Sequence, residues 1–413
     1  MEVFDLGYIK RIRFALRYLG AWPSHVFEDC VTTKLTAIRR YGYTMLLCLM
    51  CSLGMVSQVQ YLIKYKGILG FIDLGQTCLI FLISSVFFQR TFLPMQRAYR
   101  ENIKDFVLGF HLTHHKNKSE FSFKMCNRVN KICEIATIVQ LAQICITPFM
   151  FNIVPFYSNY KSGMLSSDRP ANGTFELSIY YALPFDVNGL WYTLLCIYNF
   201  YASFNVCFMF CFHDLLICVF VFHIWGHLTI FEHELNYFPR PRKTVGSKTD
   251  PLRYSFEENK EVANGLRKII KQYLMIKEFL ANTSATYSVT LCVYYGFHLV
   301  SDCILLLECS TLDADALAKY GMVTLVVFQQ MIQLSVVFEL ISSKGDTLVD
   351  AVYGLPWECM DNGNRRSVLI LLQIVQQSLA LKACNMVPVG VQTMVAVLKA
   401  SYSYFMMLNT FAN

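Results

Sequence analysis

The sequence contains little charge for its length. Only 16% of its 413 residues are charged, whereas 55% are hydrophobic, and its mean hydropathy is +0.39. Soluble domains carry about 25% charged residues, so this composition excludes an ordinary soluble domain and indicates a protein with several membrane spans. The net charge of +7 is spread over the loops between apolar runs, which argues against a basic face for nucleic acid.

The motifs of common enzyme classes are missing as well. The chain has no Gly-rich phosphate loop, no H-E-x-x-H pair, no D-D-x-x-D motif and no nucleophile elbow. His223 and His227 lie one helical turn apart and could bind a metal, but no third ligand is evident, so a polar cluster at the membrane interface is the preferred interpretation. We therefore predict a protein that is not an enzyme and that uses neither a metal nor a cofactor.

The cysteines and the N-terminus exclude two further classes. Most of the sixteen cysteines lie in apolar segments, where Cys behaves as a small hydrophobe. Cys48 and Cys51 have the spacing of a redox motif, but both lie inside a predicted span. The first 40 residues lack the apolar core of a cleavable signal peptide, so we expect the first span to direct membrane insertion.

Long apolar segments are what the chain does contain. About 20 apolar residues cross a bilayer as a helix, and seven segments reach that length. We therefore predict an all-α polytopic membrane protein with seven transmembrane helices. The segments are Tyr41–Leu62, Ile68–Phe88, Ile132–Tyr157, Leu190–Phe222, Thr283–Leu307, Tyr320–Ile341 and Val389–Phe411.

The distribution of Lys and Arg predicts the orientation. Loops on one side of the predicted membrane, including the N-terminal segment, carry thirty of these residues, and loops on the other side carry five. Positive charge stays in the cytoplasm, so the N-terminus is predicted to be cytoplasmic and the C-terminus extracellular. Of three N-x-S/T sequons, only Asn172 then lies outside, where it is a candidate glycosylation site.

We divide the chain into four parts. Residues 1–40 form a cytoplasmic segment with a short amphipathic helix at Phe14–Ala21. Residues 41–341 contain the first six spans, a ligand pocket in the outer leaflet and cytoplasmic helix extensions. Residues 342–388 form a cytoplasmic anchor with an amphipathic helix at Arg365–Lys382, and residues 389–413 form the last helix and the extracellular C-terminus.

Polar residues in the last segment share one helical face. At 100° per residue they fall within an arc of about 40°; they are Gln392, Lys399, Ser403 and Thr410. A pore lining and a packing face against other helices explain this spacing equally well. Lys399 is costly in a bilayer unless it faces water or a partner, so we expect it to point away from lipid.

Small polar residues with apolar neighbours recur in the outer halves of the other spans. An apolar cavity with few polar anchors suits a long aliphatic molecule with one oxygenated head, although such residues also bond helix to helix. The candidate ligand-binding residues are Phe71, Gln76, Thr77, Phe81, Gln143, Thr147, Met150, Phe151, Asn199, Phe200, Ser203, Phe204, Met322, Thr324 and Phe328.

Five stretches resemble insect odorant receptors, and most of all the moth sex-pheromone receptor branch. These are Leu19–Pro23, Leu355–Asp361, Met386–Met394, Leu398–Phe405 and Met407–Leu408. Gustatory receptors end in a T-Y-x5-Q-F pattern, whereas this chain reads Ser401–Phe405 at the equivalent place, which favours the odorant branch.

The resemblance implies a function. In that family, four final helices enclose a cation pore, and the gate position corresponds here to Met407, with Thr410 and Phe411 a turn beyond. It also adds Tyr320 to the pocket and implies a heterotetramer with the shared olfactory co-receptor. We therefore predict an odorant-gated, non-selective cation channel subunit in the plasma membrane of a sensory neuron dendrite. Its expected partners are membrane lipid and a long-chain volatile alcohol, aldehyde or acetate, with no nucleic acid.

Several alternatives remain open at this stage. A gustatory-type or general odorant receptor would share the architecture. A metabotropic seven-helix receptor would have its N-terminus outside, contrary to the predicted orientation. A transporter would show repeated halves with helices broken at matching positions, whereas only the last segment is interrupted here.

Overall fold

The computed structural model describes residues 2–27, 34–65, 67–166, 173–185, 187–242, 253–310 and 314–412. This part of the chain is almost entirely helical. Its α-helices are α1 Glu2–Asp5, α2 Gly7–Tyr18, α3 Ser24–Phe27, α4 Lys34–Tyr65, α5 Phe71–Phe92, α6 Arg97–Asp105, α7 Glu120–Lys161, α8 Leu190–Asn236, α9 Phe256–Ser310, α10 Ala314–Tyr353, α11 Asn362–Val375 and α12 Val391–Ala412. Short 3-10 helices lie at Leu93–Met95, Leu112–Lys118 and Trp357–Cys359, and a π-helix lies at Phe106–Phe110.

Seven of these helices correspond to the seven predicted spans, namely α4, α5, α7, α8, α9, α10 and α12. The first six contain stretches that are long and apolar enough to cross a membrane. The seventh, α12, has 22 residues, which gives about 33 Å at 1.5 Å per residue and matches the hydrocarbon core. The predicted all-α, multi-pass fold is confirmed.

Helix α8 lies at the centre of the bundle. Every residue from Phe208 to Ile224 is buried, so other helices cover this stretch on all sides. A helix that is apolar on every face is expected to be buried in this way. With 47 residues, α8 is far longer than a membrane is thick. Beyond the predicted span, α8 packs against α7 through His233 and Phe121 and against α10 through Glu232 and Lys344.

A buried ion pair links α8 to α5. Arg90 Nη2 lies 2.8 Å from Asp214 Oδ1, and the Arg90 side chain is only 1% exposed. The same guanidinium donates to the Phe210 carbonyl at 3.0 Å. Removing one member of such a pair leaves a buried charge without compensation, so the pair fixes how the two helices are aligned.

The N-terminal amphipathic helix begins earlier than predicted. Helix α2 covers Gly7–Tyr18, not Phe14–Ala21, and its buried face includes Tyr8, Ile12 and Leu16. It ends because Gly20 has a φ of 68°, and the amide of Ala21 then donates to the Leu16 carbonyl at 2.7 Å. This left-handed C-terminal cap is typical of glycine.

The predicted helix Arg365–Lys382 is wrong in its second half. Helix α11 ends at Val375, and the chain then forms a two-stranded hairpin of β1 Lys382–Ala383 and β2 Val387–Pro388. Leu379, Leu381 and Ala383 are buried, whereas Ala380 is half-buried and Lys382 is exposed. That period of two is typical of extended chain rather than helix.

The hairpin attaches the start of α12 to the bundle. Its backbone amides at Lys382 and Asn385 donate to the hydroxyls of Ser284 and Ser288 on α9, at 2.9 and 2.7 Å. The amide of Val391, the first residue of α12, donates to a carboxylate oxygen of Glu339 on α10 at 3.1 Å. The last helix is therefore held by α9 and α10 at the predicted cytoplasmic side.

Candidate functional site

A cavity of about 180 Å³, called the main cavity below, lies among the predicted membrane-spanning parts of the helices. Its walls come from α4, α5, α7, α8 and α10, with one residue of α9 and two of the loop before α8. Its lining residues are Leu47, Met50, Cys51, Gly54, Gln58, Ile80, Ile83, Ser84, Phe87, Thr147, Pro148, Phe151, Ile179, Tyr181, Tyr198, Tyr201, Ala202, Ser203, Asn205, Val206, Cys207, Phe210, Phe297, Val323, Val326, Val327 and Gln330. The set is mostly aliphatic and aromatic, with few polar groups.

One buried polar atom in this main cavity lacks a partner among the described residues. Gln58 on α4 is 3% exposed, and its Oε1 accepts no hydrogen bond within the described chain. Buried acceptors are usually satisfied. Gln58 is therefore the polar anchor best placed to receive a donor from a bound molecule.

A hydrogen-bonded cluster forms another part of the wall. The Tyr43 hydroxyl of α4 donates to Asn205 Oδ1 at 2.8 Å and lies 3.0 Å from the Tyr201 hydroxyl. It also lies 2.8 Å from the hydroxyl of Tyr18, the last residue of α2. Residues that line the main cavity are thus bonded to the N-terminal segment.

The loop Gly173–Phe185 covers the cavity at the predicted extracellular side. Gln76 Nε2 donates to the Ser178 carbonyl at 2.8 Å, and Asn199 Nδ2 donates to the Ile179 carbonyl at 3.3 Å. Ser57 donates to the Ala182 carbonyl at 3.1 Å. The side chains of Gln76 and Asn199 therefore hold the loop in place and do not point together into the main cavity.

The predicted pocket residues separate into groups. Thr147, Phe151 and Ser203 line the main cavity, whereas Asn199 and Phe200 line a second cavity between α7 and α8. The predicted residues that line neither cavity are Gln76, Thr77, Phe81, Gln143, Met150, Phe204, Thr324 and Phe328.

Some predicted sites lie outside the described residues. They are the sequon Asn172 and the side chains of Phe71, Tyr320, Met322 and Phe411.

The sequence interpretation missed the wall formed by α4. Leu47, Gly54 and Gln58 lie at steps of seven and four residues, so they share one face of that helix. A glycine and a glutamine on one face of an apolar run were the available signal. The tyrosines at the cavity were also missed, because aromatic residues are frequent in every span.

The histidine pair on α8 does not share a ligand site. His223 Nε2 lies 3.1 Å from the Tyr8 hydroxyl, whereas His227 Nε2 bonds the Phe110 carbonyl at 2.7 Å. Among the described residues, no group of three or more His, Cys, Asp or Glu side chains could hold a metal ion. Each imidazole instead joins a different neighbouring segment to α8.

Residues 80–402 match the family model described as 7tm Odorant receptor. The chain belongs to this odorant receptor family. The receptor also resembles the solved structure of the insect olfactory receptor OR5 from Machilis hrabei, with a TM-score of 0.75, 14% identity and 99% coverage of both chains. For OR5 in complex with eugenol, the TM-score is 0.72 at 15% identity, with 100% of both chains covered. At this identity the likeness shows the fold, and no curated protein sequence matches the receptor.

These findings confirm the predicted family, and assignment to the moth branch stays a prediction. Members of an odorant receptor family act as receptors and not as enzymes. Together with its long apolar helices, the family makes the receptor a multi-pass membrane protein of olfaction.

The polar face of α12 points away from the rest of the receptor chain. Gln392, Lys399, Ser403 and Thr410 are all exposed, whereas Ser401, on the opposite face, is buried. Ser401 donates to the Leu299 carbonyl of α9 at 3.1 Å. The exposed face is therefore free of the rest of the described chain, and packing within this bundle does not explain its polar residues. Met407 lies beside this face and is 50% exposed.

Proposed function

We propose that the receptor is a ligand-gated, non-selective cation channel subunit that binds a long-chain volatile with one oxygenated head. The main cavity carries this proposal, because it combines an apolar lining with one buried acceptor, Gln58 Oε1, that accepts no hydrogen bond from any described residue. Such a lining suits an aliphatic chain. The acceptor suits an alcohol, whose hydroxyl can donate, while aldehydes and acetates of the same length remain candidates.

The exposed polar face of α12 supports a pore shared with other subunits. A lone chain would expose Gln392 and Lys399 to lipid, which is unfavourable. Four such helices around an axis would place them toward water. We propose a heterotetramer with the olfactory co-receptor, in which other subunits supply most of the cation-facing lining beside Lys399.

The anchor segment 342–388 offers surfaces for such an assembly. Leu369 and Ile370 on α11, with Met386 in the hairpin, are large apolar side chains that are largely exposed. Exposed large apolar side chains can contribute to an interface with another subunit. We propose that they contact neighbouring subunits in the cytoplasm.

Helix α9 connects the cavity to the pore helix. Phe297 of α9 lines the main cavity, and two residues later the Leu299 carbonyl accepts the hydrogen bond from Ser401 of α12. A ligand that packs against Phe297 better in one arrangement of α9 than in another would shift α12 with it. The shift cannot exceed the ligand's preference for the open state.

We further propose that the receptor belongs to the moth sex-pheromone branch and acts in the sensory dendrite membrane. The stretches Leu355–Asp361 and Met386–Met394 support the branch. Asn172, on the predicted extracellular side, is the proposed glycosylation site.

A paired substitution tests the cavity. Ala202→Trp fills the main cavity and should abolish ligand-evoked current, because the added ring occupies the space of the ligand. Leu194→Trp on the same helix adds the same ring at an exposed position that lines neither cavity, so the response should remain. Currents would be recorded from cells that express the receptor with and without the co-receptor, across long-chain alcohols, aldehydes and acetates.

Two results would contradict the proposed channel: one from the ligand-evoked current and one from antibody labelling of intact cells. A full response from the Ala202→Trp channel would contradict the cavity assignment. An epitope tag at Met1 that antibodies reach on intact cells would contradict the channel topology and favour a metabotropic receptor.

A further inference from the structure

A second cavity of about 410 Å³ lies between the outer halves of α7 and α8, beside the main cavity. We call it the α7–α8 groove. Its rim carries apolar side chains that are each about one-third or more exposed, among them Phe149, Ile153, Ile197 and Phe200. Within a bilayer such side chains contact lipid tails. The groove therefore opens toward the hydrocarbon core and not toward water.

A side-chain hydrogen bond joins the lining of the groove to the lining of the main cavity. Asn152 lines the groove, and its Nδ2 donates at 2.8 Å to the hydroxyl of Ser203, which lines the main cavity. Pro148 and Pro155 lie inside α7 on either side of Asn152, and each removes one intrahelical hydrogen bond because proline has no N–H. The same Asn152 amide also donates to the Pro148 carbonyl at 2.7 Å, so this polar contact between the cavities lies on a helix segment with fewer backbone hydrogen bonds.

The groove also contains a buried acceptor without a partner in the described chain. Asn199 is 1% exposed, and its Nδ2 is used by the Ile179 carbonyl at 3.3 Å. That bond fixes which way the amide is turned. Its Oδ1 is left with no hydrogen bond to any described residue. A ligand that brings an O–H group would satisfy this atom.

The outer end of the groove is covered by the loop Gly173–Phe185. Asn159 near the end of α7 donates to the Glu176 carbonyl at 2.7 Å and accepts from the Glu176 amide at 2.9 Å. It also donates to the Tyr192 hydroxyl at 3.0 Å. With the loop held on both helices, the lipid side is the more open approach.

We propose that the α7–α8 groove is a second binding site, through which a long-chain alcohol dissolved in the membrane reaches the main cavity. The apolar rim contacts the aliphatic chain, Asn199 Oδ1 accepts a hydrogen bond from the hydroxyl, and the Asn152–Ser203 hydrogen bond breaks to allow passage. An acetate or aldehyde has no hydroxyl to donate, so the groove prefers the alcohol among molecules of equal length. This inference rests on the proposed function for the main cavity.

Photolabelling tests the site directly. Purified receptor in lipid nanodiscs is labelled with diazirine-bearing hexadecanol, and the modified peptides are identified by mass spectrometry. Label is expected on the peptides that contain Ile153 and Ile197. Hexadecanol should compete for it about fivefold better than hexadecyl acetate, the effect of one hydrogen bond.

A matched pair of variants then separates the groove from the helix surface. Ile153→Trp fills the groove, whereas Ile146→Trp adds the same ring seven residues earlier on the same lipid-exposed face, outside both cavities. The first should lose the groove label and slow both the rise and the decay of hexadecanol-evoked current severalfold, with little change in the half-maximal concentration. The second should match the wild type in both measurements.

The outcomes distinguish this inference from the channel proposal. Equal labelling and equal current kinetics in the two variants would overturn the groove as a site. Groove labelling that Ile153→Trp removes, in a receptor that passes no current with any ligand, would support the groove and overturn the channel assignment.

Discussion

Tyr8 joins four parts of the chain through one hydroxyl. Its oxygen lies 2.7 Å from His111 Nε2, 3.1 Å from His223 Nε2 and 3.1 Å from Asn130 Oδ1. The backbone amides of Thr113 and Leu112 donate to the Nδ1 atoms of His111 and His223, so each ring is neutral with its proton on Nε2. The hydroxyl then accepts from both rings and donates to Asn130, and every group in the cluster is satisfied.

The first prediction concerns the pH dependence of this cluster. Burial lowers the pKa of His111 to about 3, with smaller contributions from His114 and His227. As the pH falls, the unfolded chain therefore binds a proton at His111 before the folded protein does. The contribution of neutral His111 to the free energy of unfolding is complete above about pH 6.5. It declines toward pH 3 by up to about 1.4 kcal/mol per pH unit. Thermal unfolding in detergent between about pH 8 and pH 5 should show this loss, and His111→Gln should have a shallower slope.

A second variant separates titration from lost hydrogen bonding. Tyr8→Phe keeps both imidazoles but removes their shared acceptor, so we expect a loss of about 1–3 kcal/mol at every pH with the slope unchanged. Identical slopes for the wild type and His111→Gln would refute the assignment of the pH dependence to this ring.

Close packing of elements depends on a few glycines. A Cβ at Gly226 of α8 would lie 2.6 Å from a methyl carbon of Leu112 and 3.0 Å from a methyl carbon of Val129. The 3-10 helix Leu112–Lys118 and α7 therefore pack so close to the backbone of α8 that a larger residue at Gly226 would force these methyl groups to move. At Gly296 of α9 a Cβ would meet nothing within 4 Å.

The second prediction uses this pair of glycines. Gly226→Ala should reduce the stability by about 1–3 kcal/mol, the usual cost of overpacking. Gly296→Ala should be neutral or stabilising by up to about 1 kcal/mol, because alanine is the better helix former. Unfolding midpoints in detergent and surface expression measure both, and equal effects at the two sites would show that the close approach at Gly226 does not matter.

The sequence predicts elements better than it predicts their ends. Long apolar runs locate all seven spans, because crossing a membrane requires length and low charge whatever the neighbours are. The end of α11 at Val375 was missed because Leu379–Ala383 is apolar at every position except Lys382, so the period of two appears only in the burial of these residues. The start of α2 was missed because part of its buried face is polar. Tyr8 is buried through its hydrogen bonds to His111 and His223, which are distant in sequence.

For the whole molecule, the candidate site was predicted only in part. Thr147, Phe151 and Ser203 line the main cavity, but Gln76 bonds the loop carbonyl of Ser178. An amide in an outer half-span looks the same in sequence whether it faces a ligand or a loop. Helices that are apolar on every face carry no periodic signal for which side borders a cavity, so the α4 wall and its Gln58 required the assembled bundle.

The last prediction concerns the gate of the assembled channel. Met407 lies on α12 beside the exposed polar face, and α12 is held to the bundle by Ser401 and by the hairpin before Val391. If Met407 side chains from several subunits close the pore, Met407→Ala widens the closed constriction and should raise unliganded current in the receptor expressed with its co-receptor. Met45→Ala, a loss of the same side chain at an exposed position on α4, should leave it unchanged. Patch-clamp recording of basal current and single-channel conductance provides the measurement. If neither quantity changes in Met407→Ala, the closed gate lies elsewhere. The main cavity keeps its proposed role in that case, because the Ala202→Trp result does not depend on where the pore closes.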